Sequence, residues 1–432
     1  MQPTTTPFKE LNLTPALQDA LDQLGFENCT PIQSLTLPRI IAGHDVAAQA
    51  QTGTGKTAAY LLGSFSKILA SPATENDGSN DGGAKKRKNP RVLVIAPTRE
   101  LAIQIKKDAD ELGKYTDLRI SLVYGGVDYA KQARELGEGV DVLIGTPGRL
   151  IDYLKQGIYS LKTLDVVVLD EADRMFDLGF INDIRYLFRQ MPPPVERMSL
   201  LFSATLSNRV MELAYEHMDD AETIKTEVDS VTADRIEQTV FHPSQDEKIK
   251  LLVGLMRMLE PYRSIVFVNT KRAAEKIEAY LIGNQIKCAA LSGDVRQKRR
   301  EQLLAGFTNG EIPVMIATDV AARGLHIPDV SHVFNFDLPH QAEDYVHRIG
   351  RTARAGASGE AISFACEEYS FSLPEIQNYI GKEIPFAPIT SDLIQPLDPP
   401  KYQGNSREQR DRKGGKGGRG RPAGRSRPPR KY

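Results

Sequence analysis

The chain has 432 residues, 41% of them hydrophobic and 26% charged, with a formal net charge of −1. That length exceeds one ordinary core and predicts two domains plus extensions. No run of about 18 apolar residues marks a membrane span, the start MQPTTTPFKE has no basic-then-apolar leader pattern, and the three cysteines are far apart without metal-ligand spacing, so a reducing, cytoplasmic setting is expected.

A first helix is predicted from Pro15 to Leu24, with Thr14 as cap and Gly25 as stop. The following GFENCTPIQ has two readings: a plain helix connection, or a base site in which Gln33 reads an edge while Phe8 covers the face. Asp45 to Ala48 is a short buried strand, and AQTGTGKT at 50–57 leads from it into a helix. Strand, Gly-rich loop and helix in that order turn backbone N–H groups toward a phosphate chain, with Lys56 as point charge and the Thr57 hydroxyl on Mg²⁺. ATP is the expected occupant. Ala50 stands where the general pattern has its first Gly.

Residues 71–89 hold almost no large apolar side chain and read as a flexible loop. The Lys85-Lys86-Arg87-Lys88 run is either a solvated charge cluster or a nucleic-acid contact. Strands at 91–97, 120–124, 142–145, 166–169 and 199–202 then alternate with helices at 100–112, 130–136 and 148–155, which predicts a parallel α/β sheet with ligands at the strand carboxyl ends. Val166 to Leu169 runs into Asp170 and Glu171. A carboxylate at that strand end can hold Mg²⁺ through water, and the acid beside it can orient and deprotonate an attacking water. The charged stretch 219–236 reads as a linker. A second alternation follows, with strands at 264–268, 288–291, 314–317, 332–336 and 361–365 and no phosphate loop of its own. Beyond Pro385 the sequence turns Pro-rich and then Gly/Arg-rich, and no packed core is expected there. From Lys401 onward twelve Lys or Arg stand against two acidic residues, about +10, leaving about −11 for the rest.

The motifs DEAD at 170–173, AQTGTGKT at 50–57, PTREL at 97–101, TPGR at 146–149, SAT at 203–205, VFVNT at 266–270, ATDVAARG at 317–324 and HRIGRTAR at 347–354 resemble, in their order, those of the DEAD-box RNA helicases. The resemblance covers about Phe8 to Pro385. It implies two tandem RecA-like domains: an N-terminal Q-motif segment over 1–36, an ATP-binding domain over 37–218, a linker over 219–236, a second helicase domain over 237–385, and a disordered Gly/Arg-rich RNA-binding tail over 386–432. It also implies roles. Phe8 would stack on adenine and Gln33 read its edge; Ala50, Gln51, Thr52, Gly53, Thr54, Gly55, Lys56 and Thr57 would hold the phosphates, with Thr57 and Asp170 on Mg²⁺. Ser203 and Thr205 would couple hydrolysis to strand separation, Asp319 would meet the ribose, and Arg351 and Arg354 would reach the γ-phosphate from the second domain. RNA contacts map onto Arg99, Gly126, Thr146, Arg149, Thr270, Arg300 and Thr318.

Two departures stand out: Ala353 replaces the usual Gly of the last motif, and His326 stands where most members have Asp. Stretches such as DLGFINDIRYLFRQMP resemble bacterial members of the RNA degradosome, which implies an RNase E-type endoribonuclease and polynucleotide phosphorylase as partners. The expected activity is RNA-stimulated ATP hydrolysis with local unwinding of short duplexes by a monomer, without membrane association. An ATP-dependent RNA clamp or scaffold, and a DNA-directed motor, share much of the motif set. The tail has a second reading too, as a solubility or protein-contact segment.

Overall fold

The computed structural model describes residues 6–50, 53–71, 89–225, 236–292, 295, 297–322, 330–352 and 359–402. Within them two parallel sheets form in succession, as the tandem α/β expectation requires. The first contains β1 (Val46–Gln49), β2 (Val92–Ile95), β3 (Ile120–Val123), β4 (Val142–Gly145), β5 (Val166–Asp170), β6 (Met198–Ser203) and β7 (Glu222–Lys225), in spatial order β3-β4-β2-β5-β6-β1-β7. The second contains β8 (Ile236–Phe241), β9 (Ser264–Phe267), β10 (Cys288–Leu291), β11 (Val314–Ala317), β12 (His332–Asn335) and β13 (Gly359–Phe364), in order β10-β11-β9-β12-β13-β8.

The central strands are apolar runs because both faces are covered. In β5, every residue is buried. One face of the first sheet packs on the helices Pro15–Leu24, Pro31–Ala42, Lys56–Ala70 and Arg99–Leu112; the other packs on Pro147–Lys155, Ile181–Phe188 and Asn208–His217. Strand order reverses between β1 and β5, with β6 between them, so the loops after β1 and β5 open onto one crevice. No helix of the described residues is long and apolar enough to cross a membrane.

Three expectations are corrected. Thr14 occupies the N-cap position but its side chain makes no capping bond; the helix starts on Pro15, whose fixed φ supplies the first turn. Residues 219–236 are not all linker: β7 pairs with β1 in register Val46↔Glu222, and β8 opens the second sheet beside β13. Their strands were missed because an outer strand such as β7 buries only Ile224, too little apolar sequence to register as a core strand. The stretch after Pro385 also packs. Leu393 is buried in the second domain's core with Ala387, Ile389, Ile394 and Leu397 against it, and the backbone N–H of Lys401 donates to Ala279 O at 2.8 Å. Here alternating prolines and apolar residues form a strap rather than a helix or strand. The Lys85–Lys88 run, residues 226–235 and the tail over 403–432 lie outside the described residues.

Candidate nucleotide site and interdomain cleft

The Gly-rich loop is shaped by its glycines. Gly53 and Gly55 have φ of 89° and 91°, values that favour Gly, and a Cβ on Gly55 would lie 2.4 Å from Gln33 Nε2. That close approach is a built contact: Gln33 Nε2 donates to Gly55 O at 3.0 Å, and Thr30 Oγ1 donates to Thr54 O at 2.7 Å. Thr30 and Gln33 also form the capping box of the helix Pro31–Ala42, so the helix start and the loop are one rigid unit. Thr30 was missed in the sequence, although the T-x-x-Q spacing to Gln33 is the signal that finds it.

A cavity of about 360 Å³ opens beside the loop, lined among others by Phe8, Gln33, Gly53, Gly55, Lys56, Thr57, Asp170 and Glu171. The strand ends thus bring together most of the expected triphosphate and metal residues. Phe8 is buried and stacks near Phe26, centroids 6.4 Å apart. Lys56 Nζ donates to Ala50 O at 2.8 Å, a loop-closing bond from a side chain that can also face a phosphate. Gln51 and Thr52 lie outside the described residues.

Asp170 ends β5 at 2% exposure. Burial pushes its carboxyl up, Lys56 pulls it back down and Glu171 raises it further. Tyr60 OH donates to its Oδ2 at 3.0 Å. Tyr60, one turn after Lys56, was not singled out beforehand. A buried carboxylate and a Thr hydroxyl beside a phosphate site suit Mg²⁺, which takes one or two carboxylates plus phosphate oxygens and water. Among the described residues no group of three or more His, Cys, Asp or Glu is placed to hold a metal ion.

Behind the cavity, Asp173 holds the SAT stretch: its Oδ2 accepts from Thr205 N at 3.0 Å and Thr205 Oγ1 at 3.3 Å, and its own N–H donates to Ser203 Oγ at 3.2 Å. Ser203 and Thr205 therefore touch the DEAD loop directly.

In the second domain the arginines divide. Arg348 is 1% exposed and makes a bidentate pair with Asp319 at 2.7 Å for each bond. It also reaches Asn269 Oδ1 at 2.9 Å and lies over the Phe267 ring. Arg348 is thus a buried anchor, not part of a solvated basic face, and Asp319 is engaged by it. Beside them Lys248, fully buried, pairs with Asp337 at 2.6 Å. Arg351 is 4% exposed. Arg354, Ala353 and His326 lie outside the described residues.

A second concavity of about 530 Å³ lies between the domains, lined by Arg99, Thr146, Gly148 and Arg149 from the first and Gln297, Arg300 and Val320 from the second, among others. Arg99 packs over Gly126, where a Cβ would meet its Nη1 at 2.5 Å. Arg149 donates to Gln132 Oε1 at 2.8 Å and sits over the Tyr129 ring. Arg300 crosses the cleft: Nε donates to Glu100 Oε1 at 2.5 Å and Nη2 to Ala321 O at 2.6 Å. Its guanidinium fork is thereby committed to a carboxylate that sequence reading had not singled out. Thr270 caps the helix Lys271–Gly283 by accepting from Ala273 N, and Thr318 accepts backbone bonds from Ala321 and Ala322. Neither is among the residues lining this cleft.

Comparison with known proteins fits this geometry. The DEAD/DEAH box helicase profile matches residues 30–213, and the helicase conserved C-terminal domain profile matches residues 247–356. The ATP-dependent RNA helicase RhlB of Aliivibrio salmonicida is 51% identical over 398 residues, 92% of this chain and 90% of the relative. That of Cronobacter sakazakii is 52% identical over 399 residues, 92% and 93%. Among solved structures, S. cerevisiae Dbp5 bound to RNA and ADP BeF3 matches with a TM-score of 0.76 at 32% identity, covering 88% of this chain and 95% of that one.

Proposed function

The chain belongs to the DEAD-box family of ATP-dependent RNA helicases, and we propose that it locally unwinds short RNA duplexes with RNA-stimulated ATP hydrolysis, assisting RNA degradation in the cytoplasm. The observation that carries this reading is a pair of concavities, one at the phosphate loop and one between the two domains. The phosphate loop, Asp170 and Glu171 line a cavity in the first domain, while the cleft beside it is walled by cations of both domains.

In this reading Gly53, Gly55 and Lys56 hold the triphosphate, Phe8 and Gln33 the adenine, and Glu171 orients the attacking water and takes its proton. Mg²⁺ held by Thr57 and Asp170 would neutralise charge on the β- and γ-phosphates. Arg351 and Arg354 complete the reaction from the second domain; an arginine finger is worth roughly 10³ to 10⁵ in rate. Hydrolysis then depends on closure, and an RNA strand favouring the closed state must tighten ATP binding by the same factor that ATP tightens RNA. Arg99, Gly126, Thr146, Arg149, Thr270, Arg300 and Thr318 are proposed RNA contacts. For Arg300 this requires exchange of Glu100 for a phosphate. Backbone and phosphate contacts carry little sequence preference. A local bend that breaks a few base-pair steps, each about 1.4 kcal/mol by the DNA figure, melts a short helix and not a long one.

The relatives named above are called RhlB, and the resemblance to degradosome helicases supports an RNase E-type endoribonuclease and polynucleotide phosphorylase as partners. RNA-stimulated ATP hydrolysis by the wild type and by Glu171→Gln tests site and chemistry together. The variant is expected to bind ATP and lose turnover by roughly 10²-fold or more. Turnover at the wild-type rate would remove Glu171 from the chemistry.

A further inference from the structure

Glu171 does not stand alone in its pocket. Its backbone is left-handed, φ 51° and ψ 53°, a conformation that non-glycine residues hold only where surroundings impose it. From that backbone its carboxylate meets Arg174, whose Nη1 donates to Oε2 at 2.6 Å. The two side chains are 7% and 6% exposed. A guanidinium this deeply buried is costly unless paired, and its partner is the acid that lines the cavity with Lys56, Thr57 and Asp170. Arg174 thus bonds one carboxylate oxygen of a residue that itself lines the cavity.

We propose that Arg174 is the positioning residue for Glu171: by fixing Oε2 it sets the direction in which Oε1 addresses the attacking water. This rests on the reading of Glu171 as the group that orients that water. Phosphoryl transfer through a loose transition state asks chiefly for placement, and a misplacement of about 1 Å can cost about 10²-fold, so a fixed carboxylate direction matters to the rate. Both residues belong to one short stretch, with Arg174 N also donating to Glu171 O at 3.0 Å. The pair therefore travels with the DEAD loop and does not require the second domain to form, which distinguishes it from a latch that reports closure.

The test uses the full chain and measures RNA-stimulated ATP hydrolysis, binding of a fluorescent ATP analogue, and melting. Arg174→Met is expected to lower kcat about 10- to 100-fold with KM for ATP within about threefold, and Arg174→Lys to recover part of the loss. Glu171→Gln combined with Arg174→Met should be no slower than Glu171→Gln alone, since a residue acting through Glu171 has nothing left to orient. The double variant also removes the unpaired buried charge that could unfold Arg174→Met. If that single variant melts early, Arg174→Gln, which keeps an amide N–H₂ as donor, replaces it with the same expectations. Wild-type kcat in the folded single variant, a rise in KM with kcat intact, or a full additional loss in the double variant would overturn the proposal. A Glu171→Gln variant that hydrolyses ATP normally sinks the reading of Glu171 itself, whereas a slow Glu171→Gln beside a normal Arg174→Met sinks only the role of Arg174.

Discussion

Asp108 lies on the helix Arg99–Leu112 and lines the far side of the nucleotide cavity. Burial pushes its carboxyl from 3.8 to about 6, while a bond from Gln104 Nε2 at 2.7 Å partly offsets the shift. A folded-state value above the unfolded one means that folding favours the protonated acid. Its contribution is fully present below about pH 4 and is lost as pH rises through about 6. Asp108→Asn should therefore stabilise the protein at pH 8 by about 1 kcal/mol after discounting for partial exposure, a rise in Tm of roughly 2 to 4 °C, and change nothing below pH 4. Equal melting shifts at both pH values would show that the effect is not one of charge. At this scale the sequence is legible where a residue's role depends on neighbours along the chain: Gly53, Gly55, Lys56 and Thr57 need only the strand and helix on either side. Roles created across long separations were not legible. Arg348 and Asp319 are 29 positions apart and pair bidentately, so nothing local announces that Arg348 is an internal anchor. Tyr60 on Asp170, at a separation of 110, is hidden for the same reason.

Among the elements, the strap over 386–402 was least visible, because prolines and isolated apolar residues have no helix or strand period. Two helical glycines reveal how tightly it lies. A Cβ on Gly254, inside the helix Lys248–Leu259, would stand 2.1 Å from Leu393 O, and one on Gly283 would stand 2.4 Å from Pro399 O. Asn284 clasps the strap as well, donating to Asp398 O at 3.2 Å and accepting from Asp398 N at 3.1 Å. Replacing a mid-helix Gly by Ala ordinarily gains about 1 kcal/mol, but here the methyl meets backbone that cannot rotate away. Overpacking of that kind costs about 1 to 3 kcal/mol, so the clash prevails, and Gly254→Ala should leave the second domain less stable by about 1 kcal/mol in urea unfolding. A stabilised variant would show the strap to be loosely held. The central strands, by contrast, were readable almost to their ends because burial on both faces makes them continuous apolar runs. The outer strand β7 and the alternating β8 lacked that signal: β8 buries Ile236, Gln238 and Val240 while Glu237 faces out, and a buried Gln breaks the apolar pattern.

At the scale of the whole chain, charge is distributed so that a nearly neutral total conceals a basic end. Residues 403–432 carry eleven Lys or Arg and two acidic residues, and they begin just past the strap, where Lys401 is pinned to Ala279. The tail therefore departs from that point on the second domain and not from Pro385. If about six of its cations meet phosphates of single-stranded RNA, the log–log slope of affinity against salt should carry a share near −4 from the tail. Truncation after Tyr402 leaves the strap and both cores intact, so it isolates this contribution. It is expected to weaken RNA binding at low salt and flatten the slope by about that amount, with ATP affinity in the absence of RNA unchanged. Truncation after Pro385 would instead expose the surface beneath Leu393 and mix lost stability with lost charge. An unaltered slope in the shorter truncation would assign RNA binding to the two folded domains alone and leave the tail to solubility or a protein contact.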